Sequence, residues 1–114
     1  MYKVVYLPTF KDSPSNPARA NLATKVIEIN AFAWQFLDNK QREFVMQHEI
    51  GHLRKHTFDE SVADKYALDN IKIKKNFTLQ DFLECVKSIA KDDPDRERKA
   101  EIMVMNYKTK KNEK

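Results

Sequence analysis

The chain has 114 residues, of which 41% are hydrophobic and 33% are charged, and its formal net charge is +4. This length suits one domain with a buried core but not two, so we predict a single domain over residues 1–107. The last seven residues hold four lysines and one glutamate, which leaves about +1 for the rest and predicts a flexible lysine-rich tail over residues 108–114. Because no segment interleaves basic and aromatic residues, the charge does not favour nucleic-acid binding.

Two absences narrow the class of protein further. No segment approaches the roughly 18 apolar residues of a membrane-spanning helix, and the first residues show no apolar stretch typical of a secretory signal. The single cysteine, Cys85, cannot form an internal disulfide, and its apolar neighbours predict a buried position on a helix. We therefore expect a cytoplasmic protein without a membrane segment.

The N-terminal third is predicted to contain two strands and a short helix. Residues 2–7 are predicted to form a strand, residues 8–24 a long loop with three prolines, and residues 24–30 a second strand. Asn30 is a suitable N-cap for a helix over residues 31–37. The aromatic residues of that helix are expected in the core; they are Phe32, Trp34 and Phe36.

The next helix, which opens at Asp38 or Asn39, carries the most specific signal in the chain. The run His48-Glu49-Ile50-Gly51-His52 is an H-E-x-x-H motif. At about 100° per residue its two histidines lie one turn apart on one face, so both imidazoles can reach a single metal ion. Glu49 lies beside that face, where it can take a proton from metal-bound water and pass it to a leaving amine. The motif therefore predicts a zinc hydrolase.

The surroundings of the motif disfavour the alternative, an accidental pair of surface histidines. The only glycine of the chain, Gly51, lies inside the motif, although glycine within a helix costs roughly 1 kcal/mol relative to alanine. We infer that another segment packs close to that backbone. A surface helix has one apolar stripe, whereas this one is apolar on two sides. The apolar residues are Phe44, Val45, Met46, Ile50 and Leu53.

A catalytic zinc ion is bound by three protein ligands and leaves its fourth position open. The residues after the motif offer candidates for the third ligand. Thr57 and Glu60 have the spacing of a capping box, which predicts a second helix after a tight turn at residues 55–56. Glu60 is then a candidate ligand, or it only caps the helix. His56 is the other candidate, but only if the first helix continues unbroken. Asp64, one turn after Glu60, either orients a ligand histidine or is solvated.

The remainder of the chain is predicted to be mainly helical. Residues 71–74 are extended or form the frayed end of a helix. Thr78 caps a helix to about Lys91, and Pro94 opens a last helix that ends near Tyr107. The predicted fold class is therefore α+β, with a small edge sheet packed on a helical body that carries the H-E-x-x-H helix.

The two motifs together resemble those of the gluzincins, zinc metallopeptidases whose third ligand is a glutamate on a helix after the H-E-x-x-H helix. Phe58 stands where the longer metzincin pattern has its third histidine. Residues 48–52 and the run Glu60-Ser61-Val62-Ala63-Asp64 look like the H-E-x-G-H and E-x-x-A-D motifs of HtpX-like peptidases. The short spacing and the preceding strand are more similar to ImmA/IrrE-type peptidases and the single-domain minigluzincins. The resemblance covers about residues 24–70.

The resemblance implies a minimal zincin-like domain that binds Zn²⁺ through His48, His52 and Glu60. It implies that Glu49 acts as general base and acid, and that Asp64 orients a ligand histidine without itself binding the metal. The chain also departs from these families. HtpX-like proteins are embedded in a membrane and have a long insertion between the motifs, and ImmA/IrrE-type proteins usually carry Asn at the position of Asp64.

Zincins in general hold an extended peptide by strand addition beside the motif helix, and residues 24–30 resemble the strand that does so. We therefore expect a zinc-dependent peptidase with a peptide or protein substrate. The group that stabilises the oxyanion is undecided among His56, Tyr66 and Arg98, although Arg98 suits a surface ion pair. Two other interpretations stay open: a regulatory ImmA/IrrE-like protein that acts on one protein partner, and a non-catalytic zinc-binding domain.

Overall fold

The structure, a computed structural model, describes residues 2–71, 73 and 76–112. Its elements follow in the order β1 (Lys3–Leu7), β2 (Ala18–Asn21), β3 (Val26–Asn30), α1 (Ala31–Trp34), α2 (Asn39–Lys55), α3 (Glu60–Asn70), α4 (Leu79–Ile89) and α5 (Pro94–Asn112). The predicted α+β class is confirmed. Within this described part of the chain, no helix combines the length and the apolar character needed to cross a membrane.

The contacts of the chain divide it into two compact units, Met1–Ile71 and Lys72–Lys114. The first unit contains the sheet and helices α1 to α3, and with them both sequence motifs. The second unit contains α4 and α5. The single domain over residues 1–107 stays a prediction.

The sheet of the first unit has the order β1-β3-β2, so β3 is its central strand. β1 pairs with β3 in parallel, with Lys3 opposite Val26, and β2 pairs with it antiparallel, with Ala18 opposite Ile29. Both edges of β3 are therefore occupied, and β1 and β2 are the outer strands of the sheet that the described residues form. β2 also contacts helix α2.

Strand β2 lies within the segment predicted as a loop over residues 8–24, so the prediction was wrong there. Its residues are weak strand formers, and pairing with β3 stabilises them in the extended conformation. The turn back to β3 is built by Asn21, whose side-chain oxygen accepts hydrogen bonds from the backbone N–H groups of Ala23 and Thr24. The other two strands are confirmed, although β3 begins two residues later than predicted.

Asn30 joins the sheet to the helices. Its side-chain oxygen accepts a hydrogen bond from the backbone N–H of Ala33 at 3.2 Å, which confirms it as the N-cap of α1. Its amide group donates to the carbonyl groups of Pro14 and Asn16, both at 3.0 Å. The proline-containing loop is thereby held against the end of β3.

Helix α1 is shorter than predicted and buries fewer aromatic side chains. It ends at Trp34, and the core positions predicted for Phe32 and Phe36 were wrong, because these residues are 55% and 71% exposed. A helix of four residues completes little more than one turn, so its side chains point in different directions and cannot all face the sheet. The two phenylalanine rings contact each other edge to face, with centroids 5.5 Å apart.

The close contact inferred at Gly51 is confirmed, and it is made by helix α3. A Cβ atom on Gly51 would lie 2.9 Å from Cβ of Tyr66 and 3.1 Å from the carbonyl oxygen of Ala63. Only a residue without a side chain leaves room for this approach. The two motif-bearing helices are therefore packed at van der Waals distance where they cross the H-E-x-x-H sequence.

The second unit follows its predicted elements closely. Thr78 caps α4 and forms a reciprocal capping box with Asp81, and Cys85 is buried on that helix as predicted. α5 begins at Pro94 as predicted but continues through Asn112, past the predicted end at Tyr107. The predicted lysine-rich tail therefore starts inside a helix, and residues 113–114 lie outside the described residues. Residues 72 and 74 of the predicted extended segment 71–74 also lie outside them.

Replacing Gly51 with alanine is expected to destabilise the protein, although alanine is the better helix former. Overpacking of this kind costs about 1–3 kcal/mol, against roughly 1 kcal/mol gained in helix propensity. Urea unfolding followed by circular dichroism measures the change. Glu43→Ala, at an exposed position of the same helix, is the matched control. An unfolding midpoint of Gly51→Ala at or above that of the wild type would contradict the close packing.

Candidate metal centre

The turn between α2 and α3 brings the two sequence motifs together. α2 ends at Lys55, and His56 adopts the left-handed conformation with φ of 49°, which reverses the chain. The side chain of His56 is exposed. A site of three histidines required an unbroken helix through His56, so that alternative was wrong.

The first turn of α3 is capped by Asp59 and not by the predicted pair of Thr57 and Glu60. The Asp59 carboxylate accepts hydrogen bonds from the backbone N–H groups of Ser61 and Val62 at 2.9 and 3.1 Å. The capping-box prediction was wrong because Asp59, one residue before the helix, is a better placed acceptor for these donors. Glu60 is the first residue of the helix, and its carboxylate turns towards the histidines instead.

Three potential ligand atoms converge between the helices. Oε1 of Glu60 lies 2.7 Å from Nε2 of His52 and 3.3 Å from Nε2 of His48, and the two nitrogens are 3.1 Å apart. Two ligands at 2.0–2.1 Å from a tetrahedral zinc ion are separated by roughly 3.3 Å. The three atoms are close enough to share one metal ion, and a donor set of two imidazoles and one carboxylate is compatible with zinc; among the described residues it supplies three ligands.

The second nitrogen of each imidazole is also bound, which fixes the direction of both rings. Nδ1 of His48 donates to Oδ1 of Asp64 at 2.8 Å, and Nδ1 of His52 donates to the carbonyl oxygen of Thr57 at 2.7 Å. Asp64 is fully buried, so the solvated alternative for it was wrong. With Nδ1 as the donor, Nε2 of each ring is the nitrogen left to bind a metal ion once it is deprotonated.

The candidate site is buried on one side and open on the other. The side chains of His48 and His52 are 6% and 8% exposed, whereas that of Glu60 is 49% exposed. Glu49, the predicted general base, is 7% exposed and follows His48 on the same helix. The arrangement therefore gives a solvent path to the Glu60 side of the cluster while the histidines and Glu49 are shielded.

Negative charge surrounds the imidazole of His48. Burial opposes the charged form of this ring, but the hydrogen bonds to Asp64 and Glu60 and the nearby carboxylate of Glu49 outweigh it and raise the pKa of His48 to about 9. The negative charge of the same carboxylates, which stabilises a proton on this ring, would also stabilise a metal cation bound to it. Because a proton and a metal ion occupy the same nitrogen, they compete below that pH.

Two of the predicted candidates for oxyanion stabilisation, Tyr66 and Arg98, lie in different units of the chain. Tyr66 packs its Cβ and Cδ1 atoms against Gly51. Arg98 belongs to the second unit, where it forms the predicted surface ion pair, with Asp95 one turn away. The carbonyl group of Thr57 is a site group that the sequence did not indicate, because a backbone acceptor has no side-chain pattern.

Comparisons of the chain with protein-family models, with curated proteins and with solved structures give no significant match. The functional interpretation therefore depends on the geometry of the site. The resemblance to gluzincins stays a prediction.

We expect the purified protein to bind about one zinc ion per chain through His48, His52 and Glu60. His52→Ala should weaken zinc binding by more than 100-fold, because losing a ligand costs more than losing a supporting residue, which is worth roughly 10- to 100-fold. Metal analysis and competition with a chelator measure both quantities. His56→Ala is the matched control, an exposed histidine four residues away. Zinc affinity that falls in His56→Ala but not in Glu60→Ala would show that the third ligand is misassigned.

The hydrogen bond between Asp64 and His48 predicts a graded effect on zinc affinity. Asp64→Ala should weaken binding roughly 10- to 100-fold, because the ring loses the acceptor that orients it. Asp64→Asn should be tolerated better, since its carbonyl oxygen can still accept the Nδ1 proton. Chelator titration of both variants and of Asp69→Asn, an exposed carboxylate on the same helix, tests this. Three curves that coincide with the wild type would leave Asp64 without a role in metal binding.

Proposed function

We propose that the protein is a zinc-dependent peptidase of the gluzincin type. One observation carries the proposal: Nε2 of His48, Nε2 of His52 and Oε1 of Glu60 lie within 3.3 Å of one another, and the buried Glu49 follows His48 on the same helix. A structural zinc site is closed by four protein ligands, whereas three ligands and an open position are typical of catalysis. The exposure of Glu60 supports an opening towards solvent at this position.

The roles of the residues follow from this proposal. A zinc ion held here would lower the pKa of a coordinated water towards 7 and polarise a substrate carbonyl group. Glu49 would accept a proton from the attacking water and donate it to the leaving amine. Asp64 keeps the proton of His48 on Nδ1, so that Nε2 is available as a ligand.

The position of the sheet supports a peptide or protein as the substrate, but through a different strand from the one predicted. The predicted substrate strand, residues 24–30, contains β3, whose two edges are paired with β1 and β2. That prediction was wrong because a strand with both neighbours in place has no backbone groups for a third. We propose that the substrate lies against β2 instead, since β2 is an outer strand of the sheet among the described residues and contacts α2.

The regulatory alternative is a protein that acts on one protein partner, by cleaving or by binding it, and it would use the same site. A non-catalytic zinc domain fits less well, because the described residues supply three ligands, which would leave one coordination position open. We further propose a reducing, cytoplasmic setting for the protein. The sequence has a single cysteine, Cys85, which is buried, and this supports the proposal.

Glu49→Gln should retain zinc and fold while hydrolysis falls by about 10²- to 10⁴-fold, because the amide preserves the shape of the side chain but cannot accept a proton. Cleavage of fluorescently quenched casein and metal analysis are the two measurements. Glu43→Gln, at an exposed position of the same helix, should change neither. Wild-type activity in Glu49→Gln would remove this residue from the mechanism, and a zinc-loaded wild type without activity would refute the peptidase.

A further inference from the structure

An open cavity of about 550 Å³ lies in the first unit and reaches the connection between α2 and α3. Its walls come from β2 and the turn that follows it, from Asp12 and Glu28, and from Phe58 in the connection between α2 and α3. Phe58 directly follows Thr57, whose carbonyl group binds His52, and precedes Glu60 by two residues. Two residues span at most roughly 7.6 Å between Cα atoms. The backbone of Phe58 is therefore close to that of Glu60, one of the three proposed ligands.

The cavity also carries an excess of negative charge. Arg19, Glu28 and Asp12 line it together, and at neutral pH they sum to one negative charge. Nε of Arg19 donates to Oε1 of Glu28 at 2.7 Å, and its Nη1 donates to Oδ1 of Asp12 at 3.3 Å. The same guanidinium lies 4.1 Å from the ring centroid of Phe10. The cation is thus held by two acids and an aromatic ring, whereas each carboxylate has a second oxygen that can accept from a further donor.

Phe58 adds an aromatic face to this acidic cavity. Its side chain is 76% exposed, although a phenylalanine gains most when it is buried. An aromatic face beside carboxylates suits a long cationic side chain, because its methylene groups pack on the ring while its charged end reaches the acids. An acidic ligand would instead be repelled by the carboxylates of Glu28 and Asp12, whose charges already neutralise that of Arg19.

We propose that this cavity receives an arginine or lysine side chain of the peptide substrate, close to the bond that is cleaved. The inference rests on the proposed function, because it takes the zinc position as the place of the scissile bond. It assigns Phe58, Asp12 and Glu28 as residues that determine specificity.

The test uses the zinc-loaded Glu49→Gln protein, which is expected to bind peptides without cleaving them. The probes are three blocked pentapeptides, acetyl-Ala-Ala-Xaa-Ala-Ala-amide, with Xaa as arginine, leucine or glutamate, and NMR titration gives their affinities. The arginine peptide should bind about 10-fold more tightly than the glutamate peptide. Asp12→Asn and Phe58→Leu should each weaken binding of the arginine peptide by roughly 2- to 5-fold, as expected for exposed ion pairs and cation–π contacts.

Asp69→Asn is the matched control, because it removes an exposed carboxylate that pairs with Lys65 on α3 and does not line the cavity. Equal affinities for the three peptides, no binding, a preference for glutamate, or a preference unchanged by Asp12→Asn and Phe58→Leu would each overturn the inference. Zinc content and casein cleavage of the wild type are measured in parallel. If the arginine peptide binds more tightly but the wild type hydrolyses no casein, the proposed peptidase activity is refuted and the proposed specificity of the cavity stands. The two failures are therefore distinguishable.

Discussion

The packing of α3 on α2 at Gly51 sets the position of every group in the candidate metal centre. α2 supplies two histidines one turn apart, and α3 supplies Glu60 and Asp64, also one turn apart. Because the helices touch, these two carboxylates reach opposite nitrogens of one imidazole, that of His48. A displacement of α3 along α2 would break both contacts together. The cluster therefore depends on one helix register and not on four separately adjusted side chains.

The groups of the site that were predictable from sequence are those fixed by local periodicity. The spacing of four residues placed His48 and His52 on one helical face, and the cost of a glycine within that helix pointed to a close neighbour, which is α3. The turn at residues 55–56 made it possible to bring Glu60 back towards the motif. The two long helices of the second unit were equally predictable, because Thr78 and Pro94 mark their first turns.

The features that were missed depend on partners distant in sequence. β2 consists of weak strand formers and exists because β3 lies beside it, and the order of the sheet decides which of the described strands are its outer ones. The competition between Thr57 and Asp59 for the cap of α3 is decided by backbone geometry, since both residues are capable acceptors. The exposure of Phe32 and Phe36 follows from the early end of α1 at Trp34. Residue type alone predicts burial for both phenylalanines.

The unequal exposure of the three proposed ligands has a consequence for the kinetics of metal exchange. Nδ1 of each histidine forms a hydrogen bond, and both rings are buried. Glu60, in contrast, is the first residue of α3, and its side chain is 49% exposed. A bound ion would therefore exchange with solvent by way of Glu60, whose departure opens the coordination sphere while the imidazoles stay in place. Equilibrium affinity would depend on all three ligands, but the rate of metal loss would depend mainly on the carboxylate.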